Sequence, residues 1–249
     1  MIGLTSVTFR KLSCGEIIRM AQESGAQCIE WGGDIHVTNV ETAMEVREQC
    51  AQAGLKVRSF GSYYRVGSGE TERFRRLCEI TKALGAEVIR VWLGERGSAK
   101  TSAAELAGLA EEAQRLSSIA LEYGVIIASE FHKNTYNDTG ETCLHFLEQC
   151  GRRNVRTYWQ PMYGGHDLEN LRTVLPYTEV AHLFYWNPSG SRRYPLRKGE
   201  QAMRLFLQEL KAGGFQGDLL LEFVKRDSSR QFKADMQLLQ RLWQEVQAD

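Results

Sequence analysis

The stretch Val125-Ile126-Ile127-Ala128-Ser129-Glu130 is a short apolar run that ends in a carboxylate, and three later stretches have the same form. They are Val155-Arg156-Thr157-Tyr158-Trp159-Gln160, Val180-Ala181-His182 and Leu219-Leu220-Leu221-Glu222. Short apolar runs of this kind are typical of buried parallel strands. A charged carboxylate at the end of a buried strand costs several kcal/mol unless a cation or a donor meets it. The four polar ends, two of them carboxylates, therefore indicate that positive charge lies between them.

An alternation of helix and strand runs through the whole chain. Helical patterns end in glycine and an apolar strand follows almost at once; the glycines are Gly25, Gly54, Gly85, Gly124, Gly151 and the pair Gly213 and Gly214. Glycine is favoured there because it adopts the left-handed backbone conformation that closes a helix. Three pairs have the spacing of a capping box at a helix start, namely Ser13 with Glu16, Ser102 with Glu105 and Asp138 with Glu141.

These patterns predict eight β/α units. Strands are expected near 3–8, 27–31, 56–60, 87–92, 125–130, 155–160, 179–184 and 218–223, and helices near 14–24, 39–53, 69–84, 101–123, 139–150, 167–174, 199–212 and 228–247. With right-handed crossovers, the simplest closure is a (β/α)₈ TIM barrel. An open doubly wound sheet is the alternative, but it favours a glycine-rich turn after strand 1, and residues 8–12 contain no glycine. Because no linker divides the chain, we expect one domain over residues 1–249.

Composition argues against several classes of protein. Lys and Arg total 31 and Asp and Glu total 31, so the net charge is zero and nothing favours a nucleic-acid partner. No apolar run approaches the roughly 20 residues of a membrane helix, and the chain enters a strand-like run at once, without a signal-peptide pattern. The six cysteines form no C-x-x-C pair. We therefore expect free thiols and a cytoplasmic protein without membrane partners.

The four polar strand ends are the candidate metal ligands. Glu130, Gln160, His182 and Glu222 fall on predicted strands 5 to 8, which are neighbours in a barrel. Oxygen and nitrogen ligands suit Mn²⁺, Mg²⁺, Co²⁺ or Zn²⁺, and the absence of cysteine ligands weakens the case for a structural zinc. The alternative is that each is a hydrogen-bonded polar residue in the barrel mouth.

The chain resembles the xylose-isomerase-like barrel superfamily, the sugar isomerases, epimerases and related enzymes grouped with the apurinic endonuclease IV fold. The resemblance covers essentially the whole chain and is carried by Ile29-Glu30-Trp31-Gly32-Gly33-Asp34-Ile35-His36, Ser129-Glu130-Phe131-His132, Ala181-His182-Leu183 and Leu221-Glu222-Phe223. It implies one divalent ion held by Glu130, Gln160, His182 and Glu222. The family usually has Asp where this chain has Gln160, so the site loses a negative charge and should hold a metal less tightly or select a different ion.

The resemblance implies metal-assisted isomerisation or epimerisation of a sugar or sugar phosphate, with Glu130 and Glu222 as the proton-transfer groups. The predicted substrate contacts lie near strand ends; they are Trp31, His36, Tyr64, Trp92, His132, Tyr163, Trp186 and Arg193. Sugar rings stack on aromatic faces, although core packing competes for each tryptophan. The basic residues after strands 7 and 8 favour a phosphorylated or acidic substrate, the alternative being a solvated loop.

Three other functions stay open. A dehydratase of a cyclic polyol or a shikimate-type acid begins with the same proton abstraction. A non-catalytic sugar-binding barrel is the second, with Gln160 as a sign of lost chemistry. DNA repair, as in the endonuclease IV branch, needs a trinuclear zinc site with many more ligands, and the chain has only five histidines. Barrels of this superfamily often pair, so a homodimer is left open.

Overall fold

Eight parallel strands pair in a closed ring, and β1 completes it by pairing with the last barrel strand, with Ile2 opposite Leu219. The computed structural model describes residues 1–163, 165–187 and 189–248. The barrel strands are β1 (Ile2–Thr5), β2 (Cys28–Gly32), β3 (Lys56–Val66), β4 (Val88–Leu93), β5 (Ile126–Glu130), β6 (Val155–Trp159), β7 (Thr178–Leu183) and β10 (Asp218–Leu221). Each lies where the sequence predicts a strand, and the predicted (β/α)₈ barrel is confirmed.

Eight α-helices surround the ring in the described residues. They are α1 (Cys14–Glu23), α2 (Val40–Gln52), α3 (Thr71–Leu84), α4 (Ala103–Tyr123), α5 (Gly140–Cys150), α6 (Asp167–Val174), α7 (Glu200–Ala212) and α8 (Ser229–Ala248). The glycine pattern is confirmed, because each predicted joint contains a glycine with positive φ; Gly124, which ends α4, has φ 71°. Among the described residues, no helix combines the length and the hydropathy that a membrane span requires.

Two of the three predicted capping boxes are present. Ser13 and Ser102 accept hydrogen bonds from the backbone N–H groups of Glu16 and Glu105. The prediction for Asp138 is wrong, because Thr139 caps α5 by accepting from the N–H of Thr142. Asp138 instead accepts a hydrogen bond from the N–H of Ser98, which ties together the loops after β4 and β5.

Alternation along the strands divides the interior into two layers. Every second side chain along each barrel strand points into the barrel. There a small apolar cluster fills the lower part of the interior; its members are Cys28, Val88, Ala128, Tyr158, Val180 and Leu220. The residues between them point outward and pack against the helices, as Trp159 does against Phe206 of α7. The upper part of the barrel interior is polar, and it positions the site described below.

A two-stranded antiparallel hairpin follows β7 and was not predicted. It is formed by β8 (Tyr185–Trp186) and β9 (Arg193–Tyr194), with Trp186 opposite Arg193. Strands of two residues are too short to show a hydrophobic period. The hairpin places the Trp186 and Arg193 side chains at the mouth of the barrel. The six cysteines are free, as expected.

Candidate active site

Five titratable side chains form a polar layer directly above the apolar cluster. Each follows a member of that cluster by two positions on its strand, so each also points inward: Glu30 after Cys28, Arg90 after Val88, Glu130 after Ala128, His182 after Val180 and Glu222 after Leu220. All five are buried, with at most 4% of the residue surface exposed. A layer of three acids, one guanidinium and one imidazole must be neutralised from within, because water is largely excluded.

His182 lies between the carboxylates. Its Nδ1 atom is 3.4 Å from Glu130 Oε1 and 3.4 Å from Glu222 Oε2, and its Nε2 atom is 3.5 Å from Glu30 Oε1. One donor atom each from Glu130, His182 and Glu222 lies within 4.8 Å of the other two. Strands β5, β7 and β10 therefore bring three of the four predicted metal ligands to one point.

Arg90 is the fixed cation of the layer. Its Nη1 atom donates a hydrogen bond to Glu130 Oε1 at 3.1 Å and lies 3.5 Å from Glu30 Oε1. The other oxygen of Glu130 accepts a hydrogen bond of 2.5 Å from Trp92 Nε1. Both oxygens of Glu130 are thus held, which fixes its carboxylate group in one orientation.

These contacts shift the ionisation of the layer. Burial favours the neutral acid, but the charges of Arg90 and His182 lower the pKa of Glu30 to about 2. Burial likewise opposes ionisation of Glu130, and Arg90 again lowers the pKa of that carboxyl. For His182, burial disfavours the charged ring, but Glu222 and Glu30 raise its pKa well above the ordinary value. A proton on His182 and a divalent cation are alternative ways to neutralise the carboxylates.

The donor set fits a divalent cation. Within the described part of the chain, Gln160 Oε1, His182 Nδ1 and Glu222 Oε2 are buried without a hydrogen-bond partner. The Gln160 amide is oriented by a hydrogen bond of 2.5 Å from its Nε2 to the carbonyl oxygen of Phe131, which leaves Oε1 free. Unpaired buried acceptors are costly and rare in proteins. The two carboxylates and the imidazole nitrogen that converge here are ligands that bind Mn²⁺, Mg²⁺, Co²⁺ or Zn²⁺, and Gln160 lines the same cavity.

A cavity of about 460 Å³ opens above these residues at the C-terminal end of the barrel. Three of the candidate ligands, Glu130, Gln160 and Glu222, lie in its lining. The other lining residues are Val7, Arg10, Tyr63, Arg90, Trp92, His132, Lys133, Pro161, Met162, Tyr163, Phe184, Trp186, Gly190, Arg193 and Phe223. This size and mixture of aromatic and charged groups suit a small polar molecule.

Aromatic rings form the walls of the cavity. The Trp92 ring contacts both Tyr63 and His132, with ring centroids 5.4 Å and 4.8 Å apart. Tyr63, Tyr163 and Phe223 all have positive φ, between 51° and 57°. This conformation is unfavourable for a residue with a bulky side chain and is concentrated at functional sites. Its presence at three lining residues indicates that the shape of the cavity is maintained at a cost in stability.

Of the eight predicted substrate contacts, five line the cavity: Trp92, His132, Tyr163, Trp186 and Arg193. Tyr163 presents only its ring, because its hydroxyl donates to the carbonyl of Phe184 and accepts from the N–H of Trp186. Arg193 forms an ion pair with Asp227 and lies over the Phe223 ring, 4.9 Å from its centroid.

Trp31, His36 and Tyr64 do not line the cavity, and their predicted substrate contacts are corrected. Trp31 follows the inward-facing Glu30, so strand alternation turns it outward into the core beside His36. His36 is buried and bonded to Ser6 Oγ and the carbonyl of Leu12. Tyr64 is fully buried outside the barrel, where its hydroxyl donates to Glu112 of α4. Its neighbour Tyr63 lies in the cavity instead.

Two residues of the polar layer were missed by sequence reasoning, namely Glu30 and Arg90. A signal exists for both, because each is a charged residue inside an apolar strand segment, 28–32 and 88–93. Fully buried charges are paired or bind ligands. The strand pattern alone, however, does not show that they meet each other and His182 across the barrel.

The chain is similar to known proteins that share one fold. The family model described as xylose isomerase-like TIM barrel matches residues 18–242. No curated protein matches the chain. Among solved structures, a protein described as the probable 3-DHS dehydratase AsbF of Bacillus anthracis is 19% identical, with a TM-score of 0.82, and the match covers 96% of this chain and 98% of that one.

Two epimerases of known structure are also similar. The 3-keto-D-glucoside 4-epimerase YcjR of E. coli is 18% identical with a TM-score of 0.76, and the match covers 97% of this chain and 98% of that one. The D-psicose 3-epimerase of Clostridium cellulolyticum H10 is 13% identical with a TM-score of 0.78, with coverage of 97% and 99%. At these identities the likeness shows the fold alone.

Proposed function

The chain belongs to the xylose isomerase-like TIM barrel family, and from this premise we propose that it is a metal-dependent isomerase or epimerase of a sugar or sugar phosphate. The observation that carries the proposal is the convergence of Glu130, His182 and Glu222 to within 4.8 Å beneath an open cavity. Solved structures of the same fold include several described as sugar epimerases.

Glu130, Gln160, His182 and Glu222 are the proposed metal ligands. A divalent ion held by them would polarise a carbonyl and an adjacent hydroxyl of the substrate and so acidify the C–H bond next to the carbonyl. The unpaired Gln160 Oε1 supports its inclusion. Because Gln is neutral, it contributes an oxygen without a charge.

Glu130 and Glu222 are the proposed proton-transfer residues. Both line the cavity, and they approach His182 Nδ1 from different strands, β5 and β10, at equal distances of 3.4 Å. One carboxylate removes the proton from the substrate carbon, and the other returns a proton from the opposite face. The lowered pKa of Glu130 keeps that carboxylate ionised, as a proton acceptor must be.

The aromatic walls supply the proposed substrate contacts. The C–H edges of a sugar ring are apolar and pack against aromatic faces such as those of Trp92, Tyr163 and Trp186. His132, which packs beside Trp92 and lines the cavity, is the proposed contact for the hydroxyl groups of the same substrate through Nε2, since its Nδ1 lies 2.6 Å from the carbonyl oxygen of Lys133. The partner that we propose is thus a small sugar-derived molecule.

A dehydratase of a cyclic acid is a second candidate, and Arg90 favours it. This guanidinium lies in the cavity lining beside Glu130. A buried arginine next to a general base suits a substrate that carries a carboxylate, because guanidinium and carboxylate groups pair strongly. Elimination of water leaves an enone or a ketone, so an absorbance change on adding cyclic hydroxy acids distinguishes this candidate from an epimerase.

The first test is metal content, measured by elemental analysis on protein purified without affinity-metal carryover. We expect about one divalent ion per chain, and loss of that ion in Glu222→Gln. Glu112→Gln is the matched control, because Glu112 is a buried glutamate that lies outside this cavity. The metal-loaded protein is then screened with sugars and sugar phosphates in D₂O for deuterium incorporation.

Exchange that disappears in both Glu130→Gln and Glu222→Gln supports the proposal. If both variants keep wild-type exchange, the assignment of proton transfer is wrong. Tight binding of a sugar without exchange or turnover would identify a non-catalytic sugar-binding barrel instead. No ion in the wild type after incubation with Mn²⁺ or Zn²⁺ would overturn the metal requirement.

A further inference from the structure

Glu30 is a buried carboxylate that the proposed chemistry does not use. It is fully buried in the middle of β2 (Cys28–Gly32), is shielded from solvent and does not line the cavity. Its Oε1 atom lies 3.5 Å from His182 Nε2, on the side of the ring opposite the other two carboxylates. The three acids around His182 are therefore divided, with one facing Nε2 and two facing Nδ1.

The arrangement of the three acids affects which nitrogen of a neutral His182 ring carries the proton. A neutral histidine carries its proton on one nitrogen and a lone pair on the other, and the partner of the protonated nitrogen decides which. A cation bound between Glu130 and Glu222 would need the Nδ1 lone pair, and the carboxylate that faces Nε2 would then stabilise the ring proton on that nitrogen. Histidines that bind metals are commonly held in this way by a second carboxylate.

Three further contacts hold Glu30 and the ring in place. Ser59 Oγ donates a hydrogen bond of 3.0 Å to Glu30 Oε2, and the Arg90 guanidinium lies 3.5 Å from Oε1. The Tyr158 ring packs edge-on against the His182 ring, with centroids 5.1 Å apart and planes at 86°. Tyr158 thus limits rotation of the imidazole. Glu30 Oε1 and His182 Nε2 face each other at 3.5 Å, and neither atom has a hydrogen-bond partner among the described residues.

We propose that Glu30 is a positioning residue that keeps the proton of His182 on Nε2 and so sets the affinity of the metal centre through Nδ1. This inference rests on the metal-dependent function proposed above. It assigns Glu30 no contact with the substrate or with the metal.

The test compares Glu30→Gln with the control Glu112→Gln by titration calorimetry with Zn²⁺. We expect Glu30→Gln to weaken Zn²⁺ binding by about 10- to 100-fold, as loss of such a partner commonly does, and Glu112→Gln to leave it unchanged. Glu30→Asp, which keeps the charge, should recover part of the affinity. Ser59→Ala keeps every charge but removes the hydrogen bond to Glu30, and it should produce a smaller loss in the same direction.

A second measurement reports the tautomer without any activity assay. In ¹⁵N spectra of the Zn²⁺-loaded wild type, His182 should carry its proton on Nε2, and this signal should be lost or mixed in Glu30→Gln. Equal Zn²⁺ affinity and an unchanged tautomer in a folded Glu30→Gln protein would overturn this inference alone. Failure of the wild type to bind Zn²⁺ or Mn²⁺ would overturn the proposed function and this inference together.

Discussion

Arg90 Nη1 lies 3.1 Å from Glu130 Oε1, so a permanent cation adjoins one of the proposed metal ligands. The same atom lies 3.5 Å from Glu30. The guanidinium charge stabilises the ionised forms of Glu30 and Glu130. It also repels a divalent cation, which must bind despite this repulsion. Arg90 adds a positive charge, and Gln160 is neutral. This centre is therefore less negative than one with a carboxylate in place of Gln160 and no adjacent cation.

Replacing Arg90 should separate these two effects. In Arg90→Met the two buried carboxylates lose their partner, and we expect the metal-free protein to lose about 3–5 kcal/mol of unfolding free energy. Zn²⁺ should bind this variant more tightly, because a repulsive charge is gone. Urea denaturation with and without Zn²⁺ measures both. Arg58→Met is the control, since Arg58 pairs with Glu87 and Asp218 away from the cavity. A metal-induced gain in stability no larger than that of the wild type would contradict this prediction.

Gln160→Asp should strengthen metal binding. The change adds a negative charge at the position where Gln160 Oε1 is buried and unpaired in the described part of the chain. We expect Mn²⁺ affinity to rise about tenfold or more, which corresponds to about 1.4 kcal/mol. Calorimetry on Gln160→Asp and Gln160→Ala provides the comparison. If the two variants bind Mn²⁺ equally, Gln160 is not a ligand.

The adjacent residues Tyr63 and Tyr64 should respond differently to substitution. Tyr64→Phe removes the hydroxyl that donates to the buried Glu112, so we expect a loss of about 1–3 kcal/mol in unfolding free energy without an effect on proton exchange. Tyr63→Ala opens the wall beside Trp92 and should impair exchange at a given substrate concentration. Thermal melts and deuterium incorporation measure the two effects. An exchange defect in a stably folded Tyr64→Phe would return Tyr64 to the site.

Arg193 and Arg192 offer a test of substrate charge. Arg193 lines the cavity, whereas Arg192 is exposed and does not. A hydrogen bond to a charged group contributes about 1.5–3 kcal/mol, so Arg193→Ala should raise the KM of a phosphorylated sugar about tenfold or more. A neutral sugar should show little change, and Arg192→Ala should resemble the wild type with both. Equal effects on the two sugars would rule out a phosphate or carboxylate contact at Arg193.

Asp235 should make stability depend on pH. Burial raises its pKa above the ordinary value, although it accepts hydrogen bonds from the Leu196 N–H and from Gln231. Between the ordinary and the raised pKa, the folded state holds more protons than the unfolded chain, so unfolding free energy falls as pH rises. Asp235→Asn keeps an oxygen acceptor but does not ionise. Relative to the wild type, the variant should therefore gain stability from acidic to neutral pH in urea titrations; a difference that stays constant with pH would disprove this.

Most of the fold could be predicted from the sequence, and so could much of the site. The apolar runs that end at Glu130, Gln160 and Glu222 and the glycine that follows each helix are local signals, which arise from side-chain burial and from backbone conformation. These signals are sufficient to predict the barrel and the set of polar strand ends that meet at its mouth. The assignment of Trp31 and Tyr64 to the cavity was wrong because proximity to a strand end does not say which face of the strand a side chain occupies.

The eight β/α units and the place of the polar strand ends follow from local sequence patterns, because helix and strand signals depend on residues close together in the chain. The contact of Glu30, from β2, with His182, from β7, and the place of Arg90 between two acids are features of the closed barrel. Such contacts depend on how the closed ring staggers its strands and where a bulge, such as that between Ile29 and Glu30, shifts the register. Long-range distances of this kind leave no period in the chain, so they emerge only when the barrel closes.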